Sequence, residues 1–78
     1  MSWRAVPRKP DYRVILGATI RQERKRAELT LEALAEKAEL HPNYLGRVER
    51  GEEHVSLIAL RRLAAALKLR VRDLVAEI

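Results

Sequence analysis

The sequence predicts an all-α fold, a bundle of five short helices in a single domain. Leucine and alanine, both strong helix formers, dominate the apolar residues, whereas phenylalanine is absent and there are only one tryptophan and two tyrosines. No run of alternating apolar and polar residues indicates a β-strand. A chain of 78 residues is long enough for one domain with one hydrophobic core.

The N-terminal part divides into an arm and a first helix. Residues 1–10 contain two prolines, several basic side chains and no helical periodicity. We therefore expect a basic N-terminal arm here, followed by a helical domain over residues 11–78. Asp11 can cap the first helix, which we expect to run to about Glu28.

Two further short helices, joined by a tight turn, come next. Thr30 can cap the first of them, which we place at about Leu31–Ala38. In the second, His41 stands at the N-cap position and Pro42 at the first helical position, where its missing N–H costs nothing. Gly51 stands where a residue in the left-handed conformation would end this helix.

The C-terminal third of the chain predicts two more helices. Ser56 can cap the first of them. Its apolar stripe consists of Leu57, Leu60, Leu63, Ala64 and Leu67. The last helix runs from about residue 71 to 77 and carries more apolar groups than a small bundle can bury. We expect these groups to form a self-association surface, with fraying of the C-terminus as the alternative. They are Val71, Leu74, Val75 and Ile78.

The third helix has a polar face opposite an aliphatic one. At about 100° per residue, the polar face contains Asn43, Gly46, Arg47 and Arg50. Asn and Arg side chains can bond bidentately to adenine and guanine edges in the major groove of DNA. This face indicates sequence readout on double-stranded DNA. The alternative is a short surface helix whose polar face is simply solvated.

The charge of the chain also suggests an anionic partner, but the charge is unevenly distributed. The net charge is +5 and the pI is near 10.2. Residues 1–28 carry eight basic and three acidic side chains, whereas residues 29–53 carry three basic and six acidic ones. Residues 54–78 are basic again. Attraction to phosphates must therefore come mainly from the N-terminal segment, the fourth helix and the two arginines of the third helix.

Several other functional classes find no support in the sequence. The absence of cysteine excludes disulfides and thiolate metal sites, and it fits a reducing cytoplasm. His41 and His54 are too far apart for a local metal motif, and there is no glycine-rich phosphate loop. No stretch approaches the length of a transmembrane span. We expect a cytoplasmic protein that is not an enzyme and needs no metal, cofactor or membrane.

An ordered set of motifs runs from Leu16 to Leu74. It consists of Leu16-Gly17, Ile20-Arg21, Arg24, Leu29-Thr30, Glu32, Leu34-Ala35, Ala38, Leu40, Tyr44-Leu45, Arg47-Val48-Glu49-Arg50-Gly51, Ser56-Leu57, Leu60, Leu63-Ala64, Ala66-Leu67 and Leu74. This set resembles the Cro/phage-repressor type of helix-turn-helix domain, also called Xre-like. The resemblance implies a lambda-repressor-like DNA-binding domain of five helices. Its second helix would cross the DNA backbone, and its third would enter the major groove.

The resemblance also implies roles for single residues. The positions that match base contacts are His41, Pro42, Asn43 and Arg47. Gly46 stands where Ser is usual and leaves room for a base to approach closely. The positions that match phosphate contacts are Thr30, Tyr44 and Arg50. Arg24 and Glu49 match a partly buried ion pair that ties the first helix to the third.

Three further departures from the family pattern concern the ends of the predicted helices. Leu31 replaces a glutamine that donates to a phosphate. Glu39 replaces a glycine in the turn, where a left-handed backbone would cost a residue with a side chain about 1 kcal/mol. Arg70 replaces the usual Ser or Thr cap of the last helix.

The leading functional hypothesis is a DNA-binding transcriptional regulator, either a repressor or a controller protein. It would bind a pseudo-palindromic operator as a homodimer, with its basic arm reaching the minor groove or nearby phosphates. One alternative is an antitoxin that regulates its own operon and has a toxin as its protein partner. The other is a protein-interaction module that has kept the fold without DNA binding, which the acidic residues 29–53 and Leu31 would suit.

Overall fold

The structure, a computed structural model, describes residues 11–78. The arm predicted over residues 1–10 lies outside the described residues. The described part of the chain contains no strand, and its helices are α1 (Tyr12–Arg26), α2 (Leu31–Ala38), α3 (Pro42–Glu49), α4 (Leu57–Ala66) and α5 (Val71–Val75). The prediction of an all-α, five-helix fold is confirmed.

Side chains cap the first four helices as the sequence predicts. Asp11, Thr30, His41 and Ser56 each accept a hydrogen bond from a backbone N–H in the first turn of the helix that follows. At α5, where Arg70 replaces the usual cap, the hydrogen bond runs the other way. The carboxylate of Asp73 accepts from the backbone N–H of Arg70 at 2.8 Å.

Residues with side chains adopt the left-handed conformation after three of the helices. Glu28 (φ 60°) follows α1, Glu39 (φ 56°) ends α2 and Lys68 (φ 58°) follows α4. At each site the chain folds back onto the carbonyls of the last turn, as Leu40 N–H does onto the Ala35 carbonyl at 2.8 Å. The predicted first helix therefore stops short of Glu28.

The hydrophobic core lies where α1 packs on α3 and α5, α2 packs on α3 and α4, and α4 packs on α5. Its members are Leu16, Ile20, Leu34, Ala35, Ala38, Leu45, Val48, Leu60, Leu63, Ala64, Leu67 and Leu74. All are aliphatic, and no buried side-chain polar atom of the described residues lacks a hydrogen bond. Packing of aliphatic stripes therefore holds these short helices together.

Two expectations about burial are corrected. Leu74 was expected on an exposed patch, but it is fully buried, because α5 packs this face against α1 and α4. Leu57 was expected on the buried stripe of α4, but its side chain is 68% exposed. Helical side chains tilt toward the N-terminus, so Leu57, the first residue of α4, leans past the end of the helix and away from the core.

The contact between α1 and α3 is a close backbone approach. A Cβ atom at Gly17 would overlap the carbonyl oxygen of Val48 and lie only 2.7 Å from that of Glu49. Any side chain at this position would therefore push α3 away from α1. Gly17 is needed for this contact, because α1 lies directly against the backbone of the last turn of α3.

Two turns further along α1, Arg24 holds the C-terminal end of α3. Its Nε donates to Glu49 Oε2 at 2.7 Å, and its Nη2 donates to Glu49 Oε1 at 3.0 Å. Its Nη1 donates to the carbonyl oxygen of Leu29 at 2.9 Å. Both charged side chains are largely buried, and the hydrogen bonds to Glu49 raise the pKa of Arg24. One guanidinium thus connects α1, the loop before α2, and α3.

We expect the Glu49→Ala variant to lose about 2–4 kcal/mol of unfolding free energy, because it leaves the charge of Arg24 buried without a partner. Urea denaturation of the variant and the wild type measures this loss. Glu23→Ala is the matched control, since Glu23 pairs with the exposed Arg26 in the same helix and should cost no more than about 1 kcal/mol. Equal losses in the two variants would contradict a structural role for the Arg24–Glu49 pair.

At the end of α2, we expect Glu39→Gly to raise the unfolding free energy by about 0.5–1 kcal/mol. Glycine removes the strain of a side chain at positive φ, and this gain exceeds the entropy that it adds to the unfolded chain. Glu36→Gly, an exposed position inside the same helix, should instead lower it by about 1 kcal/mol. Thermal unfolding followed by circular dichroism compares the two. A destabilised Glu39→Gly protein would show that the left-handed conformation is not strained there.

Candidate nucleic-acid interface

The N-terminal end of α3 brings together three of the predicted base-contacting residues. The ring nitrogen Nδ1 of His41 accepts a hydrogen bond from the backbone N–H of Asn43 at 3.0 Å. This bond leaves the opposite ring nitrogen, Nε2, for an outside partner. His41 and Asn43 are exposed, and Pro42 between them is partly buried. The first turn of α3 therefore offers two exposed polar side chains side by side.

Further along α3, Arg47 and Arg50 are each paired with an acidic residue of the loop between α3 and α4. Arg47 Nε donates to Glu53 Oε2 at 3.1 Å, and Arg50 Nε donates to Glu52 Oε2 at 3.2 Å. Both arginines remain well exposed. The sequence shows that residues 29–53 are net acidic, but it did not lead us to predict these pairs. The signal was present, because both glutamates follow directly after the glycine expected to turn the chain at the end of α3.

Gly46 has a different setting from the one expected. The space that a side chain would take is occupied by the guanidinium of Arg50, whose Nη1 lies 3.2 Å from an added Cβ, and by the side chain of Leu31 at 3.6 Å. The absence of a side chain at Gly46 thus lets the Arg50 guanidinium lie against α3. A base can approach Gly46 only if Arg50 moves. An open groove of 210 Å³ runs along this side, lined by Leu31, Pro42, Asn43, Gly46, Arg47 and Arg50.

The remaining predicted phosphate contacts, Thr30 and Tyr44, are both engaged within the protein. Thr30 Oγ1 accepts the N–H of Ala33 at 3.0 Å as the cap of α2, and its own proton remains free to donate. The Tyr44 hydroxyl donates to the carbonyl of His54 and accepts from the N–H of Ser56, both at 3.4 Å. Tyr44 therefore steadies the loop between α3 and α4.

The start of α1 is joined to the same loop. The Tyr12 hydroxyl and His54 Nδ1 are 2.6 Å apart. Beside them, the Arg13 side chain donates to the carboxylate of Asp11, and this hydrogen bond lowers the pKa of Asp11 to about 2. The loop that carries the two glutamates is thus held by α1 on one side and by Tyr44 of α3 on the other.

The described part of the chain lacks two other kinds of feature, a metal-binding cluster and a membrane-spanning helix. Residues 11–78 contain no group of three or more His, Cys, Asp or Glu side chains placed to hold a metal ion. None of the helices formed by these residues is long and apolar enough to cross a membrane. The open groove along α3 and its two exposed arginines remain as the candidate site.

Comparisons with known proteins agree with this geometry. The family model of a helix-turn-helix domain matches residues 15–78. The control protein C.SmaI of Serratia marcescens is 42% identical over 64 residues, which are 82% of this chain and 76% of that protein. The restriction-modification controller protein C.AhdI of Aeromonas hydrophila superposes with a TM-score of 0.78 at 39% identity, covering 80% of this chain and 94% of that one.

The biofilm master regulator SinR, whose structure was solved in complex with DNA, superposes with a TM-score of 0.73 at 35% identity. The match covers 76% of this chain and 95% of that one. The family model alone spans most of the chain, and its helices are those that carry the groove and the two arginines. The chain therefore belongs to the Xre-like, Cro/repressor-type family of helix-turn-helix domains.

Proposed function

We propose that this protein is a sequence-specific DNA-binding transcription regulator that acts as a homodimer on a pseudo-palindromic operator. The observation that carries the proposal is the two-sided nature of α3. Leu45 and Val48 anchor one face in the core, while Asn43 and Arg47 stand exposed on the other. Such a helix can enter a major groove without disturbing the fold. The control proteins among its relatives and the DNA complex of SinR support the proposal.

Within this proposal, the exposed end of α3 reads the bases. Asn43 suits an adenine and Arg47 a guanine, because their side chains can form paired hydrogen bonds with those bases. His41 offers its free ring nitrogen, and Pro42 an apolar surface beside it. Gly46 contributes by letting Arg50 lie close to the helix, which brings a second guanidinium to the groove.

Phosphate contacts position the protein on the duplex. Thr30 has a free hydroxyl proton, and Arg50 is exposed beside Leu31, the residue that replaces the usual glutamine. Arg50 can thus supply the donor that Leu31 lacks. Tyr44 contributes indirectly by holding the loop between α3 and α4. It contributes directly if its hydroxyl exchanges the weak 3.4 Å hydrogen bond to His54 for one to a phosphate. With bases and phosphates bound, the protein would regulate by blocking or recruiting polymerase, in the cytoplasm expected from the sequence.

The homodimer needs an exposed apolar surface, and two candidates are the start of α4 and the C-terminus. Leu57 and Ile58 at the start of α4 are 68% and 62% exposed, the highest values among the large apolar side chains of residues 11–78. The predicted C-terminal surface is reduced by the burial of Leu74. It retains Ile78, which is 46% exposed, and the half-buried Val71 and Val75. We therefore propose the start of α4 as the main dimer contact.

Binding to DNA is tested by fluorescence anisotropy. A labelled duplex from the region upstream of the gene is titrated with protein against a scrambled duplex, across a salt series. We expect the upstream duplex to bind more tightly, with log K falling linearly against log salt. Arg47→Ala should cost about 1–3 kcal/mol and relax the preference at one base pair. Arg72→Ala in α5 removes the same charge away from α3 and should preserve the preference.

Two other outcomes of this titration would count against parts of the proposal, and a third would redirect the search for the operator. Equal loss on both duplexes in the Arg47→Ala protein would deny that residue a role in base readout. Weak binding to both duplexes would place the operator elsewhere in the genome. No binding at low salt would favour the protein-interaction module. The antitoxin alternative needs a separate measurement, binding of the chain to the product of a neighbouring toxin-like gene.

For the dimer, we expect Ile58→Glu to raise the dimer dissociation constant at least tenfold, because it places a charge in an apolar contact. Analytical ultracentrifugation measures this change, and binding to a two-half-site operator should weaken in parallel. Ile78→Glu is the matched substitution on the C-terminal surface and should have a smaller effect. If Ile78→Glu dissociates the dimer and Ile58→Glu does not, the dimer contact lies at the C-terminus.

A further inference from the structure

Glu53 holds the side chain of the residue proposed to read guanine. Its Oε2 atom accepts a hydrogen bond from Arg47 Nε at 3.1 Å. Within residues 11–78, Arg47 has no other side-chain hydrogen bond, so its terminal nitrogens Nη1 and Nη2 stay available. We propose that Glu53 is a positioning residue that fixes the Arg47 guanidinium for recognition of one guanine. This inference rests on the proposed function and deepens it by naming the residue on which base discrimination depends.

The backbone at the end of α3 brings Glu53 to this place. Gly51 has a φ of +77°, and its N–H donates to the carbonyl of Val48 at 3.0 Å. The N–H of Glu52 then donates to the carbonyl of Arg47 itself at 2.9 Å. This pair of bonds is the Schellman arrangement, which turns the chain back along the helix. Six residues after Arg47, the chain thus runs beside the arginine side chain.

The loop is held against α1, so the carboxylate has a defined position. A Cβ atom added at Gly51 would lie 2.9 Å from Val14 Cα, which shows how closely the turn lies on α1. The pKa of Arg13 in α1 is raised mainly by Asp11 and to a smaller extent by the Glu53 carboxylate. The turn before Glu53 is thus packed on α1, while the Glu53 carboxylate contacts Arg47 of α3.

The neighbouring pair provides a natural comparison. Glu52 accepts from Arg50 Nε at 3.2 Å, but both of these side chains are more than half exposed. Glu53 is only 34% exposed. The two glutamates carry the same charge at almost the same place in the chain, but only one of them contacts Arg47. Substituting each in turn separates the loss of a negative charge from the loss of the contact.

A carboxylate near DNA has two opposite effects, which can be measured separately. Its charge repels phosphates and weakens binding to any duplex. Its hydrogen bond occupies Nε and limits the guanidinium to one orientation. The terminal edge, with Nη1 and Nη2, then meets O6 and N7 of guanine, and less side-chain freedom is lost on binding. Removing Glu53 should therefore reduce discrimination without reducing binding to random DNA.

The experiment measures affinities by anisotropy on the operator duplex and on duplexes with single base-pair changes in both half-sites. Wild type, Arg47→Ala, Glu53→Ala, Glu53→Gln and Glu52→Ala are compared. The Arg47→Ala protein identifies the guanine, because its preference is lost at that base pair. There, we expect Glu53→Ala to lose about 3- to 10-fold of the wild-type discrimination. Glu53→Gln should lose less, since its amide oxygen still accepts from Nε, and Glu52→Ala should lose none.

A second readout needs no DNA. Nuclear magnetic resonance of arginine Nε–H groups should show a protected Arg47 signal in the wild type and in Glu52→Ala, and an exchanging one in Glu53→Ala. Thermal unfolding confirms that the variants are folded. The inference is overturned if Glu53→Ala and Glu52→Ala change every duplex alike, or if Glu53→Ala keeps full discrimination. Failure of the wild type to bind DNA would overturn the proposed function and this inference together. Full discrimination by a Glu53→Ala protein that still binds DNA would overturn this inference alone.

Discussion

The direct contact between the backbones of α1 and α3 is the constraint on which the rest of the structure depends. A helix of eight residues such as α3 is not stable alone in water, and its direction is set by what it packs against. At Gly17, the absence of a side chain lets α1 lie against the last turn of α3. Two turns further along α1, Arg24 forms a salt bridge with Glu49 at the end of α3. These contacts fix the angle at which the exposed face of α3 meets a partner.

Much of the fold could be predicted because its signals are local. A cap such as Thr30 or Ser56 needs only the right side chain before the right periodicity. The left-handed residues could be predicted less well. Glu39 stands where relatives of the family have glycine, but nothing in the neighbouring sequence shows that Lys68 also adopts positive φ. At that residue, positive φ lets the N–H of Leu69 donate to the Ala64 carbonyl at 2.8 Å, which closes the end of α4.

Burial at the ends of helices could not be predicted from spacing. Leu57 and Leu74 both satisfy an apolar periodicity, but one is exposed and the other lies in the core. The two residues differ in whether another helix covers them, and that depends on how the helices are arranged in the fold. Leu74 belongs to α5, which packs on α1 and α4, whereas Leu57 is the exposed first residue of α4. Periodicity identifies a face of a helix, but the tertiary contacts decide how far along that face the core extends.

The candidate site shows the same division. The exposure of Asn43 and Arg47 followed from helical geometry. Once Leu45 and Val48 are buried in the core, the opposite face of α3 must be exposed. The position of the Arg50 side chain against Gly46 did not follow from helical geometry, since it also involves Leu31 from another helix. The ion pair between Arg47 and Glu53 did not follow from it either, because it depends on a turn that folds the chain back along α3. Sequence patterns predict which residues form the candidate interface, and the contacts between elements decide how those residues are held.

An acidic recognition unit in a basic protein has a physical consequence for how affinity is divided. Each glutamate beside α3 offsets part of the attraction that the arginines exert on phosphates, so non-specific binding to any duplex is weakened. Contacts with base edges are affected less, because they depend on orientation more than on net charge. The ratio of specific to non-specific binding therefore rises even though both affinities fall. For a regulator that must find one site among many, that ratio determines occupancy. In the proposed complex with DNA, the loop after α3 would therefore belong to the recognition surface as much as the helix itself.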